Sequence, residues 1–294
     1  MNLAKSITPW WGKLLAKLVL SHLPINYRVW QRLGLFRHGK MDSHTYLVGV
    51  FNGHLKRSGY ENGIAGKSVL ELGPGDSVGT ALVAASLGAK SILLDTGAYA
   101  IHDIGFYRNL ASELSRLGLS PPDLSEASSL KDVLHACNAI YLTQGLASFS
   151  AIPTGSVDLI FSHAVLEHVR RREFDQNMRE CRRVLVPTGK VSHRVDLEDH
   201  LGGGLNNLRF SQRVWESSHF AKSGFYTNRL RCSEMVAAFK AAGFDVESMN
   251  CSRWPALPIS RHALNEEFVD WPDDELMIKG FTTVLKPESR LPPG

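Results

Sequence analysis

The chain has 294 residues, a formal net charge of +4, 44% hydrophobic and 21% charged residues, the balance of a soluble globular enzyme with length for one large core and additions to it. Its longest basic run is Arg170-Arg171-Arg172, which argues against nucleic acid as a partner. Cys137, Cys181, Cys232 and Cys251 lie far apart without a C-x-x-C pair, so they supply neither a zinc knuckle nor a disulfide framework, and a reducing cytoplasm fits them best.

In chain order, Ile7, Trp10, Trp11, Leu14, Leu15, Leu18 and Val19 recur at helical spacing around Lys13 and Lys17, and Thr8-Pro9 supplies a cap and a first helical position. The lysines interrupt any membrane span or signal-peptide core. Two readings stay open for this segment: a helix packed on its own or a partner's core, or an interfacial helix over residues 8–23 with tryptophans at headgroup level and lysines toward anionic lipid. Residues 1–65 read as a helical extension, and residues 66–294 as the main domain. From Lys67 onward short apolar runs alternate with helical patterns, which predicts an open α/β sheet. Strands are expected near 67–72, 90–95, 139–143, 157–162, 189–196, 244–250 and 280–285. Ser77 and Gly88 bracket the first crossover helix, a second covers Ala100 to Leu117, a third runs from Arg172 to Val184, and a fourth from Ser233 to Ala242 stops at Gly243. Residues 197–230 break the alternation with Gly202-Gly203-Gly204, Asn206-Asn207 and five aromatic residues, Phe210, Trp215, Phe220, Phe225 and Tyr226, among Arg209, Arg213, Lys222 and Arg229. Too aromatic for disorder, they predict a cap at the carboxyl edge of the sheet, where open α/β folds bind ligands.

The most informative stretch is Val69-Leu-Glu-Leu-Gly-Pro-Gly-Asp76, a buried-strand pattern that enters a glycine turn ahead of a helix. Glycine lets a ligand approach the backbone, and the helix N-terminus favours its negative end. Asp95 closes the next apolar run twenty residues after Gly75, the offset at which a carboxylate meets ribose hydroxyls in nucleotide folds. The pattern is that of a nucleoside site, and alone it does not separate a nicotinamide from an S-adenosyl ligand. Val78 stands where the dinucleotide fingerprint needs a small residue for helix packing, which disfavours an NAD(P)-dependent oxidoreductase.

Four segments in register then bring a family into view: Val69-Leu-Glu-Leu-Gly-Pro-Gly75, Ile92-Leu-Leu-Asp95, Val157-Asp-Leu-Ile-Phe-Ser-His-Ala-Val-Leu-Glu-His-Val169 and Leu185-Val-Pro-Thr-Gly-Lys190. Together the chain resembles the class I, Rossmann-like S-adenosylmethionine-dependent methyltransferases, in particular the type 11 small-molecule group. The resemblance implies a doubly wound, mostly parallel seven-stranded sheet of order 3-2-1-4-5-7-6 with the last strand antiparallel. It implies S-adenosylmethionine as cofactor, with Gly73 and Gly75 making room for the methionine moiety, Glu71 orienting the loop or the ligand ammonium, and Asp95 accepting the ribose hydroxyls. Adenine would lie between Leu146-Ala147 and Ser162-His163. The chain departs from the family at Ser77, often glycine, and near Leu146, where the family often has an acidic residue that would bond the adenine amine, so a backbone carbonyl or Ser148 must substitute here.

His163, Glu167 and His168 do not match a zinc spacing, and no metal is expected. Methyl transfer from a sulfonium expels a neutral thioether, so catalysis is mainly positioning and desolvation. For a hydroxyl acceptor a base helps, and Asp196 and His200 at the exit of the fifth strand are the candidates. A loop-capping aspartate and a satisfied histidine remain the alternative for this pair, and His193 reads as structural. Aromatic residues interleaved with arginine and asparagine suit a glycan or glycolipid acceptor, and the Leu33–Gly39 and Asp196–His200 segments resemble bacterial methyltransferases of polysaccharide biosynthesis. A non-catalytic nucleoside-binding scaffold is the reading from a different functional class.

Overall fold

A computed structural model of the protein describes residues 9–21, 41 and 43–289; Ile7, Thr8 and the Leu33–Gly39 segment lie outside the described residues. Seven strands, β1 (Ser68–Leu72), β2 (Lys90–Leu94), β3 (Ala139–Leu142), β4 (Val157–His163), β5 (Leu185–Asp196), β6 (Phe244–Arg253) and β7 (Ile278–Pro287), form one sheet of order β3-β2-β1-β4-β5-β7-β6. The first five run parallel, and β7 is antiparallel to both β5 and β6. The order and the reversed strand are those the resemblance implies. A parallel sheet needs cover on both faces, and its strands therefore alternate between two apolar layers.

Leu70, Leu72, Ile160, Val191 and Val195 face one layer, with α6 (Arg171–Val184) and α9 (Cys232–Ala241) packed over them. On α6, Phe174, Asn177, Met178, Cys181 and Val184 are buried at helical spacing, each large apolar side chain contributing about 1.5–3 kcal/mol of transfer free energy. Val69, Leu93, Leu159 and Phe161 face the other layer, beneath α2 (His44–Arg57), α3 (Gly79–Ser86) and α4 (Ile104–Arg116). Thus α2, from the stretch read as an extension, lies against the sheet itself, with Phe51 set edge-on to Phe161 at 5.6 Å.

Local signals place the crossovers. Ser77 Oγ accepts the Gly79 N–H at 2.9 Å at the start of α3, Asp103 caps α4, and α5 (Leu130–Ala136) opens with a Ser129–Asp132 capping box that the sequence reading did not single out. α6 passes into β5 at Leu185 without a loop, so β5 begins four residues before its expected start, with a register shift opposite Val157 and Leu159. At Gly189 a Cβ would lie 2.9 Å from the Asp158 carbonyl, so only glycine fits this kink.

Two excursions roof the carboxyl edge. The first, residues 197–230, holds α7 (Gln212–Trp215) and α8 (Ser218–Ala221); the second, 254–277, holds α10 (Glu266–Val269) and α11 (Asp273–Leu276). Leu205 and Leu208 of the first share a cluster with Ile259, Leu264, Phe268 and Leu276 of the second. No element is expected from the sequence between the strands near 244–250 and 280–285; the apolar residues there make the cap a two-part structure. The amino-terminal helix α1 (Trp10–Ser21) packs Trp10, Leu14 and Leu18 against Leu201, Trp215, Phe225 and Tyr226. Its other side leaves Trp11, Leu15 and Val19 at 55%, 53% and 62% exposure. No helix among the described residues is long and apolar enough to cross a membrane.

Candidate functional site

The turn after β1 is built from two glycines in the left-handed region, Gly73 at φ +67° and Gly75 at φ +66°, a conformation that other residues adopt only with strain. The Gly73 N–H donates to the Leu94 carbonyl at 2.8 Å, tying the turn to β2. A Cβ on Gly73 would stand 2.6 Å from a methyl of Val165, so the space that Gly73 leaves is taken by that side chain from the segment after β4. Glu71 is buried beneath the turn and accepts the Thr80 hydroxyl of α3. Burial pushes its carboxyl up to about 8, with Asp95 adding to the shift and Thr80 opposing it. Its hydrogen bond therefore links the turn to α3.

Asp95, at the end of β2, accepts the Gly75 N–H at 3.0 Å through one oxygen and the Thr96 N–H at 2.7 Å through the other. These bonds fix the carboxylate at the mouth of the turn. The Thr96 hydroxyl also reaches Oδ1, at 3.5 Å. The Asp95 carbonyl in turn accepts the Gly145 N–H at 2.8 Å, which locks the loop after β3 to the same residue. That loop carries Leu146 and Ala147 in a 3-10 turn. Beside it opens a cavity of about 810 Å³, walled by Thr96, Gln144, Leu146 and Ala147 on one side and by Glu173 and Arg183 of α6 on the other. Thr96 and Gln144 are additions to the sequence-derived set. Ser148 is turned inward, accepting the Gln144 N–H at 3.0 Å, so its hydroxyl serves the turn.

At the end of β4 the two expected residues point to opposite faces. Ser162 is buried, with its Oγ 2.8 Å from Nδ1 of His193. His193, fully buried and stacked on Phe239, is held down to about 3 by burial. His163 faces α2, with Nδ1 3.3 Å from Nε2 of His54, whose other nitrogen meets Ser192 Oγ at 2.8 Å. Burial, then Arg194 and Arg57, hold His163 down to about 4. The backbone at this strand end borders the edge, while both side chains are engaged in the layers.

The β5 exit holds Asp196 and His200. Asp196 Oδ1 accepts the Glu198 N–H at 3.0 Å, and the Asp196 N–H points at Glu167 Oε1 at 3.3 Å. Glu167 is buried, pushed up to about 8 by burial, and its Oε2 meets no partner. His200 stands ring to ring with His168 at 4.9 Å, and its carbonyl accepts from Lys17 of α1 at 3.0 Å. Burial, then Lys17, lowers its pKa. The neighbouring Asp199, absent from the sequence-derived set, organises the loop by accepting the Leu201 and Asn206 N–H groups.

The cap differs from its expected form as a sugar platform. Trp215 and Phe225 are buried, with Phe210 and Phe220 packed around them and α1. Arg229 is buried and donates to the Asn207 and Phe210 carbonyls. The aromatic rings lie inside because Leu14 and Trp10 of α1 supply the apolar partners that make burial favourable. Among the described residues no cluster of histidine, cysteine or acidic side chains is placed to hold a metal.

Residues 70–192 match the type 11 methyltransferase-domain family. Comparison with curated protein sequences gives no match. Among solved structures, the chain is similar to an arsenic(III) S-adenosylmethionine methyltransferase of Chlamydomonas reinhardtii, at 18% identity and TM-score 0.41, covering 78% of this chain and 65% of that one. It is also similar to a phosphoethanolamine N-methyltransferase of Haemonchus contortus in complex with S-adenosyl-L-methionine, at 15% identity and TM-score 0.47, covering 82% of this chain and 53% of that one. A third similarity is to a 1,6-didemethyltoxoflavin-N1-methyltransferase of Burkholderia thailandensis, at 10% identity and TM-score 0.42, covering 84% of this chain and 78% of that one. The chain thus spans about half the length of the Haemonchus protein.

Proposed function

We propose that this chain, whose residues 70–192 match a methyltransferase domain, is a class I S-adenosylmethionine-dependent methyltransferase that methylates the oxygen of a small-molecule, glycan or glycolipid acceptor. The observation that carries the cofactor assignment is Asp95, oriented by the Gly75 and Thr96 amides at the end of β2. In that position its carboxylate accepts the ribose hydroxyls. Gly73, Gly75 and Glu71 shape the turn that receives the amino-acid end, and Leu146 and Ala147 flank the adenine with the strand end at Ser162-His163. The cofactor supplies an electrophilic methyl group on a sulfonium.

The protein's own part is to place the acceptor oxygen in line and keep water out, with the two-part cap as the roof. We assign the proton to the Asp196–His200 exit. His200, lowered by burial, is neutral at pH 7 and able to accept a hydroxyl proton. In this reading residues 66–294 are the catalytic domain with its cap, and residues 1–65 an extension whose helix α2 packs on the sheet of that domain. The exposed Trp11, Leu15 and Val19 stripe, on a helix with Lys13 and without acidic residues, supports contact with an anionic lipid surface and hence a lipid-linked acceptor.

Calorimetry decides the first step. S-adenosylmethionine and S-adenosylhomocysteine should both bind the full chain; binding of neither, with binding of a nicotinamide dinucleotide, would reverse the reading. For the acceptor, radiolabelled methyl transfer to hydroxyl-bearing glycolipids in anionic vesicles is expected, and transfer only to amines would overturn the O-methyl assignment.

A further inference from the structure

Among the described residues three arginines carry buried side-chain nitrogens without a partner, and they are treated differently. Arg231 places its terminal nitrogens on the Leu197, Glu275, Leu276 and Ile278 carbonyls. Arg229 places its own on Asn207, Phe210 and Gln212. Both are structural ties, each with only Nε unmatched. Arg57, on the last turn of α2, has both Nε and Nη2 buried and without an acceptor.

Arg57 lies back along its own helix over Gly53, where a Cβ would come within 3.4 Å of Nη1. One turn before it on the same helix, His54 meets Ser192 of β5. Two residues along the same face of β5 stands Arg194, exposed and paired in register with His163. His163, the register partner of Arg194, lies with its Nδ1 3.3 Å from Nε2 of His54, three residues before Arg57 on α2, so the two imidazoles bridge the arginine-bearing elements; Arg57 is lowered by burial and then by Arg194. The imidazoles between them, His54 and His163, are held neutral by burial and by these same arginines. Glu198 and Glu167 lie within the electrostatic reach of Arg194, yet among the described residues no carboxylate forms an ion pair with either arginine. Arg57, with two unmatched donors, and the exposed Arg194 offer two guanidinium forks of the kind that bind a planar or tetrahedral oxyanion in bidentate fashion.

We propose that Arg57 and Arg194 bind a phosphate or carboxylate group of the methyl acceptor, between α2 and β5 and two residues from Asp196. This rests on the methyltransferase reading and adds to it that the acceptor is anionic. It also moves acceptor charge recognition out of the cap, whose Arg229 is spent on carbonyls, and onto the sheet.

The probes are inorganic phosphate and D-glucuronate, titrated into the full chain with the arginine Nε–Hε signals followed by NMR and binding measured by calorimetry. At least one anion should bind and shift the Arg57 signal; the stronger one identifies a phosphorylated or an acidic-sugar source. Arg194→Gln, exposed and harmless to the fold, should weaken that anion about tenfold, and Arg57→Gln should do likewise if its melting curve is intact. Arg172→Gln, which alters a surface pair with Glu173, should leave it unchanged. Binding of neither anion to the wild type, or equal binding to Arg194→Gln, overturns the site. Cofactor calorimetry on the same variants keeps the two readings apart: S-adenosylmethionine should bind all of them equally, and its failure to bind the wild type would instead remove the methyltransferase premise.

Discussion

On the cofactor side of the sheet the polar groups are held by neighbours close in space and in motif: Asp95 by the Gly75 and Thr96 amides, Glu71 by Thr80, Ser77 by Gly79. On the cap side the ties are long-range. Arg231, just ahead of α9, reaches to Leu197 and to residues 275–278, and Asn228 donates to the Leu166 and Val169 carbonyls beyond β4. The first arrangement makes a site that is rigid when its own strands form; the second makes a roof whose position depends on a few buried side chains. Removing a tie should accordingly cost stability on one side and ligand affinity on the other.

Arg231→Met is expected to have the largest effect, about 3–5 kcal/mol of stability, because four buried carbonyls lose their donor. Denaturant unfolding measures it, and a loss confined to cofactor affinity would break the contrast. Asp95→Ala should weaken S-adenosylmethionine by about a hundredfold, roughly 3 kcal/mol, while the chain still folds with a melting temperature lowered only modestly by the loss of the Gly75 and Thr96 bonds. Unchanged affinity would remove Asp95 from the site.

A pH series sharpens the comparison further, since each side holds one buried carboxyl raised to about 8, Glu71 and Glu167. For an acid raised on folding, the native state keeps a proton that the unfolded chain releases. Its contribution is therefore complete below about pH 4.5, falls as pH rises, and is lost above about 8. Glu167→Gln cannot ionise, so it should match the wild type near pH 4 and exceed it by on the order of 2 kcal/mol above pH 8. On the acid side His163 and His193, depressed to about 4 and 3, act in the opposite sense, costing stability as pH falls below about 6.5. The smallest effect is expected at Trp11→Ser, within about 0.5 kcal/mol for folding. Vesicle co-sedimentation should nevertheless fall, and equal sedimentation would leave the exposed α1 stripe without a lipid role.

The same contrast explains how much could be read from residues alone. The strands follow short, continuously buried apolar runs, and their order and the turn at Gly73–Gly75 follow a short motif, so they were legible through pattern and family resemblance. β5 began early because a helix-to-strand passage without a loop gives no punctuation before Pro187. The aromatic cap was misread as ligand-facing because Trp215 and Phe225 find their partners in Leu14 and Trp10, about two hundred positions earlier. Nor could spacing pair Arg57 with Arg194, which only the packing of α2 on β5 brings together.

The shared apolar cluster of the two excursions has a consequence for anyone who would re-engineer this protein. Leu205 and Leu208 are lined up with Ile259, Leu264, Phe268 and Leu276, so transplanting residues 197–230 alone from a cousin would strand the other arm with a wet hydrophobic flank. New specificity has to be grafted as a matched pair of segments, separated in the gene but indivisible in the folded product.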